Sequence, residues 1–146
     1  MVGHHPILMV GVAALIHDHA GRVLLMKRTD NLCWGPPGGS TEPGERIEES
    51  LRREVLEETG INLGDVALFG AYSGPEFFYT YPNGDQVFNV TIIYFTHVDG
   101  QPQPTLDHEH SEWAWFDPQD IPTNISPPMK PIMADYQQKQ KNRRIQ

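Results

Sequence analysis

The sequence predicts one domain of α/β or α+β type. Three observations carry this: strand-like apolar segments interleaved with two helical ones, a length of 146 residues, and an ordinary globular composition of 38% hydrophobic and 21% charged residues. A chain of this length buries a real core without needing a second domain, so residues 1–146 are read as a single unit.

The elements follow in order. Residues 7–16 are a β-branched and aliphatic run, read as a buried strand. DHAG, 18–21, is turn chemistry, and RVLLMKR, 22–28, reads as a second strand antiparallel to the first. A Pro/Gly loop spans 31–39. A helix is expected from about residue 45 to 59: Pro43 and Gly44 punctuate its start, and Gly60 suits the position just past its end. Residues 66–74 and 86–98 read as strands, the second the clearest in the chain, and Asn83-Gly84 signals a hairpin turn before it. A short strand is expected at 112–117, with Asp117-Pro118 opening a brief helical turn. Pro127 and Pro128 precede a C-terminal helix, 129–140, and the basic stretch within 136–146 is expected to fray at the helix end.

Charge and cysteine usage exclude several classes. The formal net charge of -8 disfavours general attraction to a nucleic-acid backbone. The single cysteine, Cys33, excludes an internal disulfide and a cysteine-based zinc cluster. The longest apolar run is too short to span a membrane, and residues 1–6 lack the basic region of a secretory leader. A cytoplasmic location and no membrane partner are expected.

The stretch 38–61 concentrates seven glutamates: Glu42, Glu45, Glu48, Glu49, Glu54, Glu57 and Glu58. On a helix, Ile47, Leu51 and Val55 form an apolar stripe that docks on a sheet. The early acids Glu45, Glu48 and Glu49 suit the helix N-terminus. Glu48 with Arg52, and Glu49 with Arg53, are four apart in the favourable order, worth about 0.2–0.5 kcal/mol each. Glu54, Glu57 and Glu58 fall at the other end, where the helix dipole favours cations, and they repel one another. They are either a solvated face or the ligands of a divalent cation, and oxygen-only donors point to Mg²⁺ or Mn²⁺.

The spacing also fits a known pattern. Gly39, then Glu45, then Arg53-Glu54-Val55-Leu56-Glu57-Glu58-Thr59-Gly60-Ile61 matches every fixed position of the Nudix box, with Trp34 and Pro37-Gly38-Gly39 extending the likeness upstream. The chain thus resembles the Nudix hydrolases, which include the MutT-type nucleotide pyrophosphohydrolases. The resemblance implies an αβα sandwich with a mixed central sheet, and metal-dependent hydrolysis of a nucleoside diphosphate linked to another moiety. Carried over by position, it makes Glu57 and Glu58 the principal metal ligands, Glu54 a third, and the carbonyl of Gly39 (or Gly38) a further one. Arg53 would orient the glutamates with Glu45 as its partner, and a helix glutamate is one candidate to deprotonate the attacking water. Ser50-Leu51 stand where many members have Ala-Ala, a change expected to alter packing rather than chemistry. Domains of this size in the family are often dimers, so a homodimer is the assembly the likeness suggests.

Outside the box, LDHEHSEWAWF (106–116) places Glu109 and Glu112 beside His108 and His110 before a strand. In many Nudix enzymes such a loop supplies a further ligand or the general base, and Glu109 is the chosen candidate. Glu112 is read as facing structure or solvent, and the two histidines as exposed loop residues. Arg28, at the end of the second strand, is a candidate phosphate contact. Phe78 and Tyr79, with Phe77 and Tyr81, either stack a nucleobase or pack on the core. Pro75 and Tyr79 point to different Nudix subfamilies, so substrate identity stays open among nucleoside triphosphates, ADP-ribose and nucleotide sugars. Two other readings are a sensor that binds ADP-ribose or a nucleotide without turnover, which the full set of acids disfavours, and an RNA 5′-end pyrophosphohydrolase.

Overall fold

The computed structural model describes residues 6–80 and 83–145. Tyr81, His4 and His5 lie outside the described residues. The elements are β1 (Ile7–His17), β2 (Val23–Arg28), β3 (Trp34–Gly35), β4 (Gly38–Ser40), α1 (Ile47–Thr59), β5 (Ala67–Tyr72), β6 (Phe78–Thr80), β7 (Gln86–His97), β8 (His110–Phe116) and α2 (Lys130–Ile145). Short 3-10 turns cover Pro75–Phe77 and Pro127–Met129.

The eight strands form one mixed sheet. Its centre is the parallel pair β1 and β7, in register from Ile7 opposite Val87 to His17 opposite His97. β5 and β6 flank β7 antiparallel, β8 and β3 flank β2, and β4 lies against the middle of β1. The predicted antiparallel pairing of the first two strands is present, but at His17 opposite Val23.

Successive strand side chains point to opposite faces. On β1, Val12, Ala14 and Ile16 pack with Leu24, Tyr94 and the α1 residues Leu51 and Val55. Ala13 and Leu15 pack on the other face with Val23, Leu25, Ile93 and the α2 residues Ile132, Met133 and Tyr136. Helices thus cover both faces, which is the expected αβα layering. It also explains why β1 reads as a continuous apolar run rather than an alternating one.

Several boundaries differ from expectation. The helix starts at Ile47, so Glu45 precedes it rather than occupying its first turn. The loop 31–39 contains β3 and the start of β4, strands too short to show a period of their own. β8 begins at His110, two residues earlier than predicted. Asp117-Pro118 opens a turn closed by the Asp120 N–H on the Asp117 carbonyl (2.9 Å), not a helix. α2 continues through the basic stretch expected to fray. Gly60 ends α1 as expected: at φ 76° its N–H donates to the Leu56 carbonyl. No helix among the described residues is long and apolar enough to cross a membrane.

Candidate active site

Two glycines set α1 against the sheet. β4 pairs with Gly11–Ala13 of β1. A Cβ on Gly38 would overlap the Val12 carbonyl and Ala13, and one on Gly39 would overlap the Glu54 carboxylate. Without side chains there, the β4 backbone presses on β1 from one side and receives the acids of α1 from the other. The Gly38 N–H donates to Glu58 Oε1 at 2.7 Å.

Arg53 organises the outer acids. Its Nε donates to Glu45 Oε2 at 2.7 Å and Nη2 to Glu45 Oε1 at 2.9 Å, a bidentate pair. Nη1 donates to Glu54 Oε1 at 2.8 Å, Nη2 reaches the Ser40 carbonyl at 3.1 Å, and Glu57 Oε2 lies 3.6 Å from Nη1. Glu45 Oε1 also accepts from the Ser50 hydroxyl (2.7 Å) and the Glu42 N–H (2.8 Å). Ser50 therefore does more than fill space: it joins the support of Glu45. The Arg53 guanidinium, with Ser50 and the Glu42 N–H, draws the Glu45 carboxyl down to about 2, and Glu45 in turn secures the charge of Arg53. The predicted helix pairs are displaced. Arg53 is held by Glu45 rather than Glu49, Glu49 faces Arg46 at 3.4 Å, and Arg52 donates to the Leu63 carbonyl.

The three late acids differ in environment. Glu57 is exposed, Glu54 is partly buried, and Glu58 is 6% exposed. Burial pushes the Glu58 carboxyl up to about 8; the Gly38 N–H opposes this, while Glu54, Asp107 and Glu109 add to it. Glu54 is raised chiefly by burial, against the pull of Arg53, with Glu57 and Glu109 pushing it further. Burial and neighbouring carboxylates thus both disfavour the charged form of Glu58 and Glu54.

The rim comes from the ends of β2 and β8. Arg28 Nε and Nη2 donate to the Asp30 carboxylate at 2.9 and 2.7 Å, so this guanidinium already has a partner, which secures its charge, with Glu109 and Glu58 contributing further. The Glu109 carbonyl accepts from the Thr29 N–H at 2.9 Å, and its half-exposed carboxylate faces the same cluster. Glu112 pairs with Lys27 at 3.0 Å and lies toward solvent, the setting read for it from the sequence. His108 is exposed, as read from the sequence, but His110 is not. Because β8 starts at His110, its imidazole turns inward. Nδ1 lies 2.7 Å from Asp107 Oδ1 and Nε2 3.7 Å from Glu58 Oε2. Glu58, Asp107 and His110 form a group able to hold a metal ion. Asp107 and the inward His110 were missed; the available signal was the three-residue spacing of acid and imidazole just before a strand.

The aromatic segment divides. Phe77 is core, packed near Tyr72. Phe78 packs tilted against Phe88 across β6 and β7 with ring centroids 4.8 Å apart and stays partly exposed, and Tyr79 is exposed.

The family model of the NUDIX domain matches residues 7–136. The chain belongs to the Nudix family. A Nudix relative from Bacillus subtilis (strain 168), provisionally named an 8-oxo-dGTP diphosphatase, is 30% identical over 126 residues, covering 86% of this chain and 78% of that one. The nucleoside triphosphatase NudI of Escherichia fergusonii is 34% identical over 113 residues, covering 69% of this chain and 77% of its own. Among solved structures, the MutT NUDIX hydrolase from Burkholderia pseudomallei superposes with a TM-score of 0.73 at 28% identity, covering 88% of this chain and 97% of that one.

Proposed function

We propose that this Nudix hydrolase cleaves a phosphoanhydride bond of a nucleoside triphosphate, using a divalent cation held by Glu54, Glu57, Glu58 and the carbonyl of Gly39. The observation that carries this is the buried setting of Glu58, with Glu54, Asp107 and Glu109 adding negative charge beside it, a setting that a bound cation would favour in the ionised form. The donors fit Mg²⁺ or Mn²⁺: they are hard oxygens, set on a rigid helix, and the bare Gly39 lets the Glu54 carboxylate close on the β4 backbone. The relatives at 30% identity or more favour the triphosphate among nucleotide-derived diphosphates.

Such a cation, when bound, neutralises phosphate charge and lowers the pKa of water. The chain supplies the rest. Arg53, clamped by Glu45, fixes Glu54 and steadies Glu57. Glu109 or a helix glutamate takes the proton from the attacking water. Arg28 meets the polyphosphate at the rim, and Phe78 and Tyr79 offer aromatic surface to the base. In-line attack at one phosphorus then depends on positioning more than on covalent help.

The test is a kcat/KM panel with Mg²⁺ or Mn²⁺ over nucleoside triphosphates, 8-oxo-dGTP, ADP-ribose, nucleotide sugars, dinucleoside polyphosphates and 5′-triphosphorylated RNA. Triphosphates should lead, and a chelator should stop hydrolysis reversibly. A lead by another class would replace the substrate assignment. Binding without turnover of any of them would make the domain a sensor.

A further inference from the structure

Beside the acid cluster stands a pair of side chains that the Nudix box does not contain. His110 opens β8 opposite Arg28, at the bulge that ends β2. The neighbouring Glu109 carbonyl accepts from both the Thr29 N–H (2.9 Å) and the Thr29 hydroxyl (3.1 Å), so the backbone carrying the imidazole is fixed. The His110 side chain is 6% exposed. Its Nδ1 lies 2.7 Å from Asp107 Oδ1. An ionised carboxylate only accepts hydrogen bonds, so the proton of this bond sits on Nδ1. That leaves Nε2 facing Glu58, 3.7 Å from Oε2, while the Gly38 N–H holds Oε1.

We propose that Asp107 and His110 are a positioning pair that sets the carboxylate plane of Glu58 through its second oxygen. The proposal rests on the reading of Glu58 as a cation ligand. A glutamate carboxylate turns freely about its last bond. Gly38 fixes one oxygen but leaves the other free to swing. Asp107 prevents the imidazole from turning over, and the edge of the ring, 3.7 Å from Oε2, closes off the space into which that oxygen would swing. Partners of this kind, standing behind a ligand, typically carry about 10–100-fold in metal affinity or activity.

Two variants of one residue separate positioning from packing. A glutamine amide reaches the place of Nε2, whereas an asparagine amide reaches the place of Nδ1. His110→Asn should weaken Mn²⁺ binding, read as free Mn²⁺ by electron paramagnetic resonance without substrate, by about 10-fold or more. It should lower kcat on a nucleoside triphosphate by a similar factor and leave KM unchanged. His110→Gln should recover most of both, and Asp107→Asn should share the loss. Unchanged Mn²⁺ affinity in His110→Asn overturns the proposal, and so does a ¹⁴N coupling to the bound Mn²⁺ in electron spin echo spectra, which would make His110 itself a ligand. So do equal losses in His110→Asn and His110→Gln that track a fall in Tm, which would make the ring packing alone. Glu57→Gln is the control: weakened Mn²⁺ binding there with none in His110→Asn removes the pair and keeps the cation site. Unaltered binding in Glu57→Gln, or none in the parent protein, removes both.

Discussion

The acids of the site are alike in formula and unlike in setting. Glu45 is tied to Arg53, Ser50 and the Glu42 N–H, and so stays ionised as a fixed support. Glu58 is enclosed and resists ionisation, whereas Glu57 is exposed and free to meet a ligand. Glu109 combines a fixed backbone with a half-exposed carboxylate, a suitable build for moving a proton. Glu109→Gln should therefore lower kcat by about 10²-fold or more while changing KM little, the scale of a lost general base. An unaltered rate in steady-state assays would hand that role to a glutamate of α1. Much of this was legible because the box fixes residue identities at fixed spacings. The pairing of Asp107 with His110 was not, because whether a residue before a strand points inward depends on where the strand starts. A shift of two residues was enough to hide it.

At the scale of elements, α1 is amphipathic in a divided way. Leu51 and Val55 are fully buried against β1 and β2, and the acids occupy the flank that meets β4. The helix is thus placed by apolar packing and used through its charges. Leu51→Ala should destabilise the fold by about 2–5 kcal/mol, the range for emptying a buried leucine site. Urea unfolding would show it, and a loss under about 1 kcal/mol would mean that the helix docks by other contacts. The helix and its glycine end were readable from periodicity and capping, as was the long β7, while helices on both faces of the sheet followed only from the likeness to the family. The partners of the strands were not readable. β1 is apolar on both faces, and such a run announces burial without saying which strand lies beside it. β3 and β4 exist because β2 and β1 offer them a template, and nothing in Trp34-Gly35 or Gly38–Ser40 marks them as strands in isolation.

Across the whole molecule, His17 ties the centre of the sheet to α2. Its Nε2 meets the Tyr136 hydroxyl of α2, its Nδ1 lies 3.3 Å from the Thr96 carbonyl, and its ring stacks on Phe95 with centroids 4.1 Å apart. Burial holds its pKa down to about 4 from 6.5, so the folded protein keeps it neutral where the unfolded chain takes up a proton. Its contribution is fully present above pH 6.5 and is lost as pH falls towards 4, by up to about 3 kcal/mol. Urea midpoints measured from pH 4 to 7 should fall more steeply in the parent than in His17→Gln, by about one proton. Equal slopes would mean that the folded protein admits the charge. The parallel register of β1 and β7 carries a different consequence, one of timing. Ile7 waits for Val87, eighty residues later in the chain, before the centre of the sheet can close. During synthesis the glutamate helix therefore leaves the ribosome long before the strand that completes the sheet beneath it. For that interval its apolar side has only a half-built floor, so the nascent chain is most exposed to misassociation just before β7 emerges.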